Sequence, residues 1–362
     1  MKRLIAALIM LSAATPLLGQ SLRLLVGTYT EGTSAEGVYL YSIDPESAES
    51  QLLGVAPSGN PSFVIASPDG KRAYAVNEFN DGRQGVSSFL LDGDRITPAN
   101  SLPIPKETVD GEDPCNILYT GDAVVTSNYS GGSVTAFKLD KEGELEGMSQ
   151  FFSPGEKASH MHCAVLSPDG KYIFVTDLGL DQVLRFERRR GGRPLGKSTT
   201  VWRNTGNSAW GPRHMVFSAD GRFAYLLCEL SDKLVVFSYQ HGALLPIQNL
   251  TAYHGNGKGS ADIHLSPDGR FLYTSHRLKK DGIAIFSIDP ESGKVKKSGF
   301  QSTGRHPRNF ALSPDGKFLL CACRDDNRIE VYRVDPATGA LTRTDRDIQL
   351  GAPVCVQFVI GN

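Results

Sequence analysis

The residue types that could do chemistry in this chain recur at fixed distances from a repeated turn motif. Five residues before the serine of the motif, or its equivalent, stand Ser62, Cys115, His162, Arg213, Ala261 and Arg308. Eleven residues after it, allowing for one shorter unit, stand Glu78, Tyr129, Leu178, Glu229, Arg277 and Arg324. Histidine and glutamate can act as general bases, and arginine can bind anions or stabilise developing negative charge. These two sets therefore indicate acid–base chemistry on an anionic substrate, provided that they converge.

The motif that sets this spacing is a Ser-Pro-Asp-Gly turn. It stands at residues 67–70, 167–170, 266–269 and 313–316. A variant, Ser-Ala-Asp-Gly, stands at 218–221, and a degenerate copy, Tyr-Thr-Gly-Asp, stands at 119–122. The five serines lie 100, 51, 48 and 47 residues apart, so the first interval holds two units and the period is near fifty residues. Proline presets one turn position and glycine supplies a positive φ, so each copy predicts a tight turn between two antiparallel strands.

Apolar, strand-length runs flank each turn, and an alternating third strand and a weaker fourth follow. Four strands in each unit of about fifty residues predict the blade of a β-propeller. We count seven blades, of which the first lacks its leading inner strand. The C-terminal run 354–359 can supply that strand and close the ring, which removes the open sheet edges. The sequence thus predicts an all-β, seven-bladed propeller forming one domain over residues 21–362.

This architecture places both recurrent positions at the strand ends remote from the turns, at one mouth of the central channel. The predicted mouth set consists of Glu78, His160, His162, Arg213, Glu229, Asp262, Arg277, His306, Arg308 and Arg324. Its cationic excess suits an anionic substrate such as a phosphate or a carboxylate. Lys258, in the glycine-rich loop 255–260, is expected nearby. The alternative is that the arginine–carboxylate pairs only tie neighbouring blades together and that the histidines make structural hydrogen bonds.

Composition and charge exclude several classes of protein. The 38 Lys and Arg balance 39 Asp and Glu, for a formal net charge of -1, so nucleic acid is a poor candidate partner. The six cysteines are scattered and stand mostly in apolar runs, as buried small side chains do, although a disulfide stays possible. No zinc-protease, nucleophile-elbow, EF-hand or dinucleotide fingerprint is present, so we expect no cofactor.

The first twenty residues are predicted to be a signal peptide. Lys2 and Arg3 precede an apolar run over 4–11, and small or helix-breaking residues follow at 12–16. That run is shorter than the roughly 20 residues of a membrane-spanning helix. We therefore expect a periplasmic or secreted monomer with no membrane span.

With these features established, the chain resembles the lactonase family of seven-bladed propellers, which includes bacterial 6-phosphogluconolactonases and is related to carboxy-cis,cis-muconate cyclase. The segments that carry the resemblance are 26–30 with 37–39, 60–63 with 76–78, and, most specifically, Gly304-Arg305-His306-Pro307-Arg308-Asn309 continuing to Ser313. The resemblance implies hydrolysis of a sugar-acid lactone. It also implies that the matching positions His162, Arg213, Glu229 and Arg277 are the active residues. Ser275-His276-Arg277 departs from the Asn-Arg pair that is usual in the family.

Three hypotheses follow. In the first, a lactonase uses Glu229 or His162 as the base and Arg213 and Arg277 at the carbonyl oxygen, and substrate contacts come from Glu78, Asn128, His160, Lys258, Asp262, His306, Arg308 and Arg324. In the second, a metal-dependent enzyme resembles six-bladed gluconolactonases and holds a divalent ion with Glu78, Asn128 and Asp177. In the third, the chain is a non-catalytic propeller of the cell envelope that binds a carbohydrate acid or a protein loop.

Overall fold

The structure is a computed structural model that describes residues 21–106, 109–253 and 258–360. The predicted signal peptide, residues 1–20, lies outside the described residues. Seven antiparallel sheets follow one another along the chain, as predicted, and form the blades of a propeller. The 3₁₀ turn Arg324–Asp326 stands between strands of the last blade. No helix among the described residues is long and apolar enough to cross a membrane.

Each blade holds four strand positions, ordered from the innermost strand outward. Blade one consists of Pro353–Val359, Leu22–Thr28, Gly37–Ile43 and Ser50–Pro57; blade two of Val64–Ala66, Arg72–Asn77, Gly85–Asp92 and Arg95–Pro103; blade three of Pro114–Tyr119, Ala123–Asn128, Ser133–Leu139 and Leu145–Phe152; blade four of Met161–Leu166, Tyr172–Asp177, Gln182–Arg188 and Leu195–Arg203. Blade five consists of Pro212–Phe217, Phe223–Cys228, Lys233–Gln240 and Ala243–Thr251; blade six of Ser260–Leu265, Phe271–His276, Gly282–Ile288 and Val295–Ser302; blade seven of Pro307–Leu312, Phe318–Cys323, Arg328–Val334 and the two short strands Leu341–Arg343 and Ile348–Gln349.

The C-terminal strand closes the ring, as the sequence predicts. Pro353–Val359 pairs antiparallel with Leu22–Thr28 and becomes the innermost strand of blade one. The seven innermost strands then contact one another in an unbroken cycle around the channel. Because every inner strand has a neighbour on both sides, the first and last blades leave no open edge between them.

Alternation along the second strand of each blade builds the hydrophobic core. Successive side chains of a strand point to opposite faces, so one residue packs against the preceding blade and the next against the following blade. In blade four, for example, Ile173 packs with blade three while Phe174 packs with blade five. Each of the seven apolar clusters lies between two neighbouring blades in this way.

The Ser-Pro-Asp-Gly segments form the tight turns that their composition predicts. In the first copy Gly70 N–H donates to the carbonyl of Ser67 at 2.9 Å, and Ser67 Oγ contacts Asp69 Oδ1 at 2.5 Å. Gly70 has a φ of 65°, in the left-handed region that glycine adopts without strain. The same contacts recur in the other four copies, so the turn fixes the register of the inner two strands in each of these blades.

The opposite end of the inner strand has its own recurrent geometry. The residue seven before the repeat serine, or its equivalent, has a positive φ in blades two, three, five, six and seven: Asn60, Asp113, Gly211, Gly259 and His306. A proline then follows in four of these blades, and the next residue is a β-bulge in blades three, five and seven. A bulged residue has no partner in the adjacent strand, so its side chain can be redirected.

All six cysteines are buried and free, as their apolar surroundings indicate. None of them forms a disulfide in this structure.

Candidate active site

A cavity of about 280 Å³ lies at the strand ends remote from the Ser-Pro-Asp-Gly turns. Six blades contribute to it, from the second to the seventh. Its lining consists of Glu78, Asp113, Cys115, Tyr129, Ser130, His162, Arg213, Glu229, Arg277 and Arg308.

The backbone register explains why the two recurrent positions meet at this cavity. The amide of Glu229 donates to the carbonyl of Gly211 at 2.7 Å, and the amide of Arg277 donates to the carbonyl of Gly259 at 2.9 Å. The corresponding bond recurs in blades two, three, four and seven. The residue eleven after the serine is therefore tied to the entry of the inner strand of its own blade. The repeat spacing, together with the antiparallel pairing of the inner strands, predicts that these two positions lie at the same strand ends.

Bulges direct the inner-strand side chains into the cavity. The strand register shifts around Cys115, His162, Arg213 and Arg308, so each of these side chains leaves the regular alternation of its strand. Three of the four follow a proline, which has no N–H to pair with the second strand. Four of the cavity-lining side chains thus lie at irregular positions near the start of an inner strand.

Glu229 lies between two arginines. Arg213 Nε donates to its Oε2 at 3.0 Å, and Arg277 Nη2 donates to its Oε1 at 2.7 Å. The Arg213 side chain is only 2% exposed and that of Arg277 5%, so both cations are nearly removed from water. Burial alone would raise the pKa of Glu229, but the charges of Arg213 and Arg277 hold it below its ordinary value. Glu229 is consequently an ionised acceptor that fixes both guanidinium groups.

Glu78 and Arg308 form the opposite wall. Glu78 accepts hydrogen bonds from the Tyr29 hydroxyl at 2.9 Å and from Ser62 Oγ. Arg308 Nη2 stands 3.7 Å from Glu78 Oε2, beyond hydrogen-bonding distance, and its guanidinium lies over the Tyr29 ring. Within the described residues Arg308 makes no hydrogen bond to another side chain or carbonyl, so its N–H groups are free to bind a ligand.

Two histidines adjoin the arginines and are held neutral. Burial, together with Arg213, lowers the pKa of His162 well below its ordinary value. Burial, Arg277 and Arg324 lower the pKa of His306 to about 3. His306 Nε2 accepts a hydrogen bond from Arg277 Nη1 at 3.2 Å, which requires that this nitrogen carry no proton. His162 lines the cavity, whereas His306 supports Arg277 from behind.

Several residues of the predicted mouth set do not line the cavity. His160 stacks on Tyr129, and its Nδ1 donates to the Tyr129 carbonyl at 2.9 Å. Asp262 is buried below the cavity, where it accepts from His214 Nδ1 and His264 Nε2. His306 and Arg324 of the mouth set, and the predicted substrate contacts Asn128 and Lys258, also lie outside the lining.

Two of the three residues proposed to bind a divalent ion make hydrogen bonds within different blades. Asn128 Nδ2 donates to Ser133 and Thr135 within blade three. Asp177 accepts from Ser159 and from the His160 amide in blade four. Neither lines the cavity with Glu78, and no group of three or more His, Cys, Asp and Glu among the described residues could hold a metal ion.

Nearly the whole chain matches one known protein family. Residues 23–358 match the family model described as lactonase, 7-bladed beta-propeller. The chain belongs to this family. The match spans every blade, so the pocket described above lies wholly within the lactonase domain.

Named relatives within the lactonase family cover nearly the whole chain. A 6-phosphogluconolactonase from Formosa agariphila is 32% identical, with 92% of this chain and 98% of the relative covered. A 6-phosphogluconolactonase from Bacillus subtilis is 30% identical, with 92% and 97% covered. The solved structure of a periplasmic gluconolactonase from Pseudomonas aeruginosa is 32% identical, covers 94% of this chain and 99% of its own, and superposes with a TM-score of 0.84. These similarities support a lactonase function.

The cavity also contains residues that the mouth set omits. Asp113 and Ser130 line it, and Ser130 Oγ donates to Asp113 Oδ2. Asp113 has a φ of 51° and occupies the same left-handed position as His306, so the repeat register could have identified it. With Asp113 included, three arginines face three carboxylates among the described lining residues, and the expected cationic excess is wrong for the lining itself.

Proposed function

We propose that this protein hydrolyses a sugar-acid lactone, as a 6-phosphogluconolactonase does, in the pocket between Glu229 and Arg308. The observation that carries the proposal is that Glu229 holds two nearly buried arginines at the edge of a cavity whose third arginine has free donors. The names of the relatives support the reaction type.

Arg213 and Arg277 are suited to stabilise the tetrahedral oxyanion. Lactone opening passes through an intermediate in which the carbonyl oxygen gains a full negative charge. Because Glu229 already fixes both guanidinium groups, they do not have to reorganise when that charge develops. A donor of this kind is typically worth about 3 kcal/mol in the barrier.

His162 is the better candidate for the base that activates water. Both carboxylate oxygens of Glu229 already accept hydrogen bonds from arginines, so neither is available to take a proton from water. His162 is neutral and lines the cavity, and its ring makes no hydrogen bond to another described residue. An unprotonated imidazole can take the proton of an attacking water.

Arg308 is suited to bind an oxygen atom of the substrate, either in a hydroxyl of an aldonolactone or in an anionic group. Its unused N–H donors match the oxygens of a carboxylate or phosphate. Glu78 is held in place by hydrogen bonds from Tyr29 and Ser62. Its negative charge therefore stays beside Arg308 while the N–H groups of Arg308 remain available to the substrate.

We place the reaction in the periplasm or outside the cell. The N-terminal charge and hydropathy pattern of residues 1–20 supports export, and the Pseudomonas aeruginosa relative is named as periplasmic. An exported enzyme meets unphosphorylated aldonolactones, because phosphorylated sugars are cytoplasmic metabolites. Gluconolactone-type substrates therefore fit this location better than phosphorylated ones.

A comparison of the two substrate types tests the proposal. Purified protein, with residues 1–20 removed, is incubated with glucono-δ-lactone and with its 6-phospho derivative, and acid release is followed against buffer alone. Faster hydrolysis of either lactone supports the proposal, and the preferred substrate decides the question of the phosphate. No acceleration with either substrate would contradict it.

One observation favours the non-catalytic alternative. The Arg277–Glu229 pair joins blades six and five, as a structural tie between blades would. A binding propeller would show thermal stabilisation by gluconate or its lactone without turnover. Thermal-shift measurements on the same preparation therefore separate the two functions.

A further inference from the structure

Two histidine rings meet beneath the cavity and leave two polar atoms unpaired. The rings of His162 and His214 lie edge to face, with their centroids 5.2 Å apart. His162 Nδ1 and His214 Nε2 are both buried, and neither has a hydrogen-bond partner among the described residues. A buried polar atom without a partner costs about 1–3 kcal/mol, so two such atoms on neighbouring rings indicate a shared partner.

Asp262 determines which nitrogen of His214 carries the proton. Asp262 Oδ1 lies 2.7 Å from His214 Nδ1, and Oδ2 lies 2.8 Å from His264 Nε2. The pKa of Asp262 is lowered despite its burial, chiefly by His264 and His214, so the carboxylate is ionised and can only accept. Nδ1 of His214 must therefore donate. Burial lowers the pKa of His214 to about 4, so its ring is neutral and its Nε2 presents a lone pair.

One buried water molecule is the simplest partner that both unpaired nitrogens could share. A water that donates to the lone pair of His214 Nε2 still has lone pairs of its own, which can accept from His162 Nδ1–H. In this arrangement the proton of His162 is on Nδ1. Its other nitrogen, Nε2, then presents a lone pair, and the ring lines the cavity.

We propose that a buried water between His162 and His214 passes on the tautomer set by Asp262, so that Nε2 of His162 faces the pocket as the proton acceptor. The buried water site and the tautomer stand on the geometry alone, whereas the catalytic consequence rests on the proposed function. His214 and Asp262 are then positioning residues that act through His162.

The charged groups around His162 agree with this arrangement. Arg213, Arg277 and Arg308 lie on the cavity side, and together with the His214 ring they disfavour a second proton on His162. The Tyr129 ring meets the imidazole edge to face at 5.7 Å and donates no hydrogen bond to it. The neutral ring therefore takes one of two tautomers, and in the proposed arrangement Nδ1 carries the proton and donates to the water.

The structure provides a matched control. His264 bonds to the other oxygen of Asp262, on the side away from His162, and lines a separate cavity toward the turn end of the channel. His264→Phe therefore removes a comparable hydrogen bond from Asp262 without touching the route to His162. His214→Phe removes the acceptor of the water but keeps an aromatic ring beside Phe63.

The tautomer is measured directly by two-bond ¹H–¹⁵N correlation spectra of protein labelled at its histidines. We expect His162 to be neutral and protonated at Nδ1 in the unmodified protein and in His264→Phe, and to lose that fixed tautomer in His214→Phe. Protonation of His162 at Nε2 in the unmodified protein would overturn the proposal. Because this readout needs no turnover, it decides the tautomer even if no lactone is hydrolysed.

Kinetics then test the positioning role. With the preferred lactone, His214→Phe should lower kcat by about 100-fold, within the range of general-base contributions, and leave KM within about twofold. His264→Phe should change kcat by no more than about twofold. Equal losses in both variants, or an unchanged kcat in His214→Phe, would overturn the role, whereas an inactive unmodified protein would contradict the proposed function instead.

Discussion

Arg277 Nη2 donates to Glu229 Oε1 at 2.7 Å across the boundary between blades six and five. The same carboxylate accepts from Arg213 of its own blade, so a single acid positions two cations that are far apart in sequence. The pair therefore links the stability of the blade interface to the geometry of the pocket.

Replacing Glu229 should lower both the stability of the protein and its turnover. In Glu229→Gln the two arginines lose their counter-charge while the side-chain shape is kept. Breaking a buried ion pair of this kind costs about 3 kcal/mol, and the misplaced arginines should lower kcat. Urea denaturation and lactone turnover measure the two losses. A variant as stable and as active as the unmodified protein would show that Glu229 fixes neither arginine.

Replacing Arg308 should affect binding far more than stability. Arg308 makes no hydrogen bond to another described residue, and Glu78 keeps two other donors, so Arg308→Gln leaves no buried group newly unpaired. We expect KM to rise about tenfold, the loss of one charge-assisted contact of about 1.4 kcal/mol. Arg324→Gln, outside the lining, is the control and should leave KM unchanged. Similar effects in both variants would contradict the role of Arg308.

The fold and the register were predictable because the turn motif repeats. Turns at a constant interval fix both the strand pairing and the end at which residues such as Arg213 and Glu229 meet. The spacing does not show where the side chain points at the position ten residues after the repeat serine or its equivalent. Asn128 and Asp177 stand one residue before Tyr129 and Leu178, and strand alternation turns their side chains into their own blades.

Local irregularities account for the other differences. Arg324 has the sequence spacing of Arg277, but it begins a 3₁₀ turn and pairs with Asp325 at 2.6 Å instead of entering the cavity. Asp262 lies within a bulge between Ser260 and Ile263, and its carboxylate accepts a hydrogen bond from Asn309 of the next blade. The repeat pattern predicts neither the 3₁₀ turn at Arg324 nor the burial of the Asp262 carboxylate among its hydrogen-bond donors.

Stability should fall as the pH is lowered below about 6.5. The pKa values of His162, His214 and His306 are depressed in the folded chain, so these rings stay neutral while the unfolded chain takes up protons. Each such group contributes stability above its unfolded pKa and loses it as the pH falls toward its folded pKa, which is about 4 for His214. The slope is at most about 1.4 kcal/mol per pH unit for each group.

Urea unfolding between pH 7 and pH 4 measures this dependence. His214→Phe should show a shallower decline, because one depressed imidazole is gone. His264 has a raised pKa and opposes the trend, so His264→Phe should steepen it. Stability that is flat across this range, or that rises toward pH 4, would contradict the neutral state of these rings.

Chelators should leave lactone hydrolysis unchanged. Asn128 and Asp177 are already engaged by hydrogen bonds within their own blades and do not face Glu78 across the cavity. Dialysis against EDTA, followed by turnover measurement with and without added Ca²⁺ or Mg²⁺, tests this prediction. Loss on chelation with recovery on adding the ion would favour the metal-dependent mechanism.

The most direct test is the turnover of Arg213→Met beside that of Arg222→Met, an exposed arginine at the turn end of the same blade. Circular dichroism and urea unfolding confirm that both variants are folded. If the pocket opens lactones, kcat/KM falls about 100-fold in Arg213→Met and stays unchanged in Arg222→Met. Equal turnover in the two folded variants would contradict a lactonase site in this pocket.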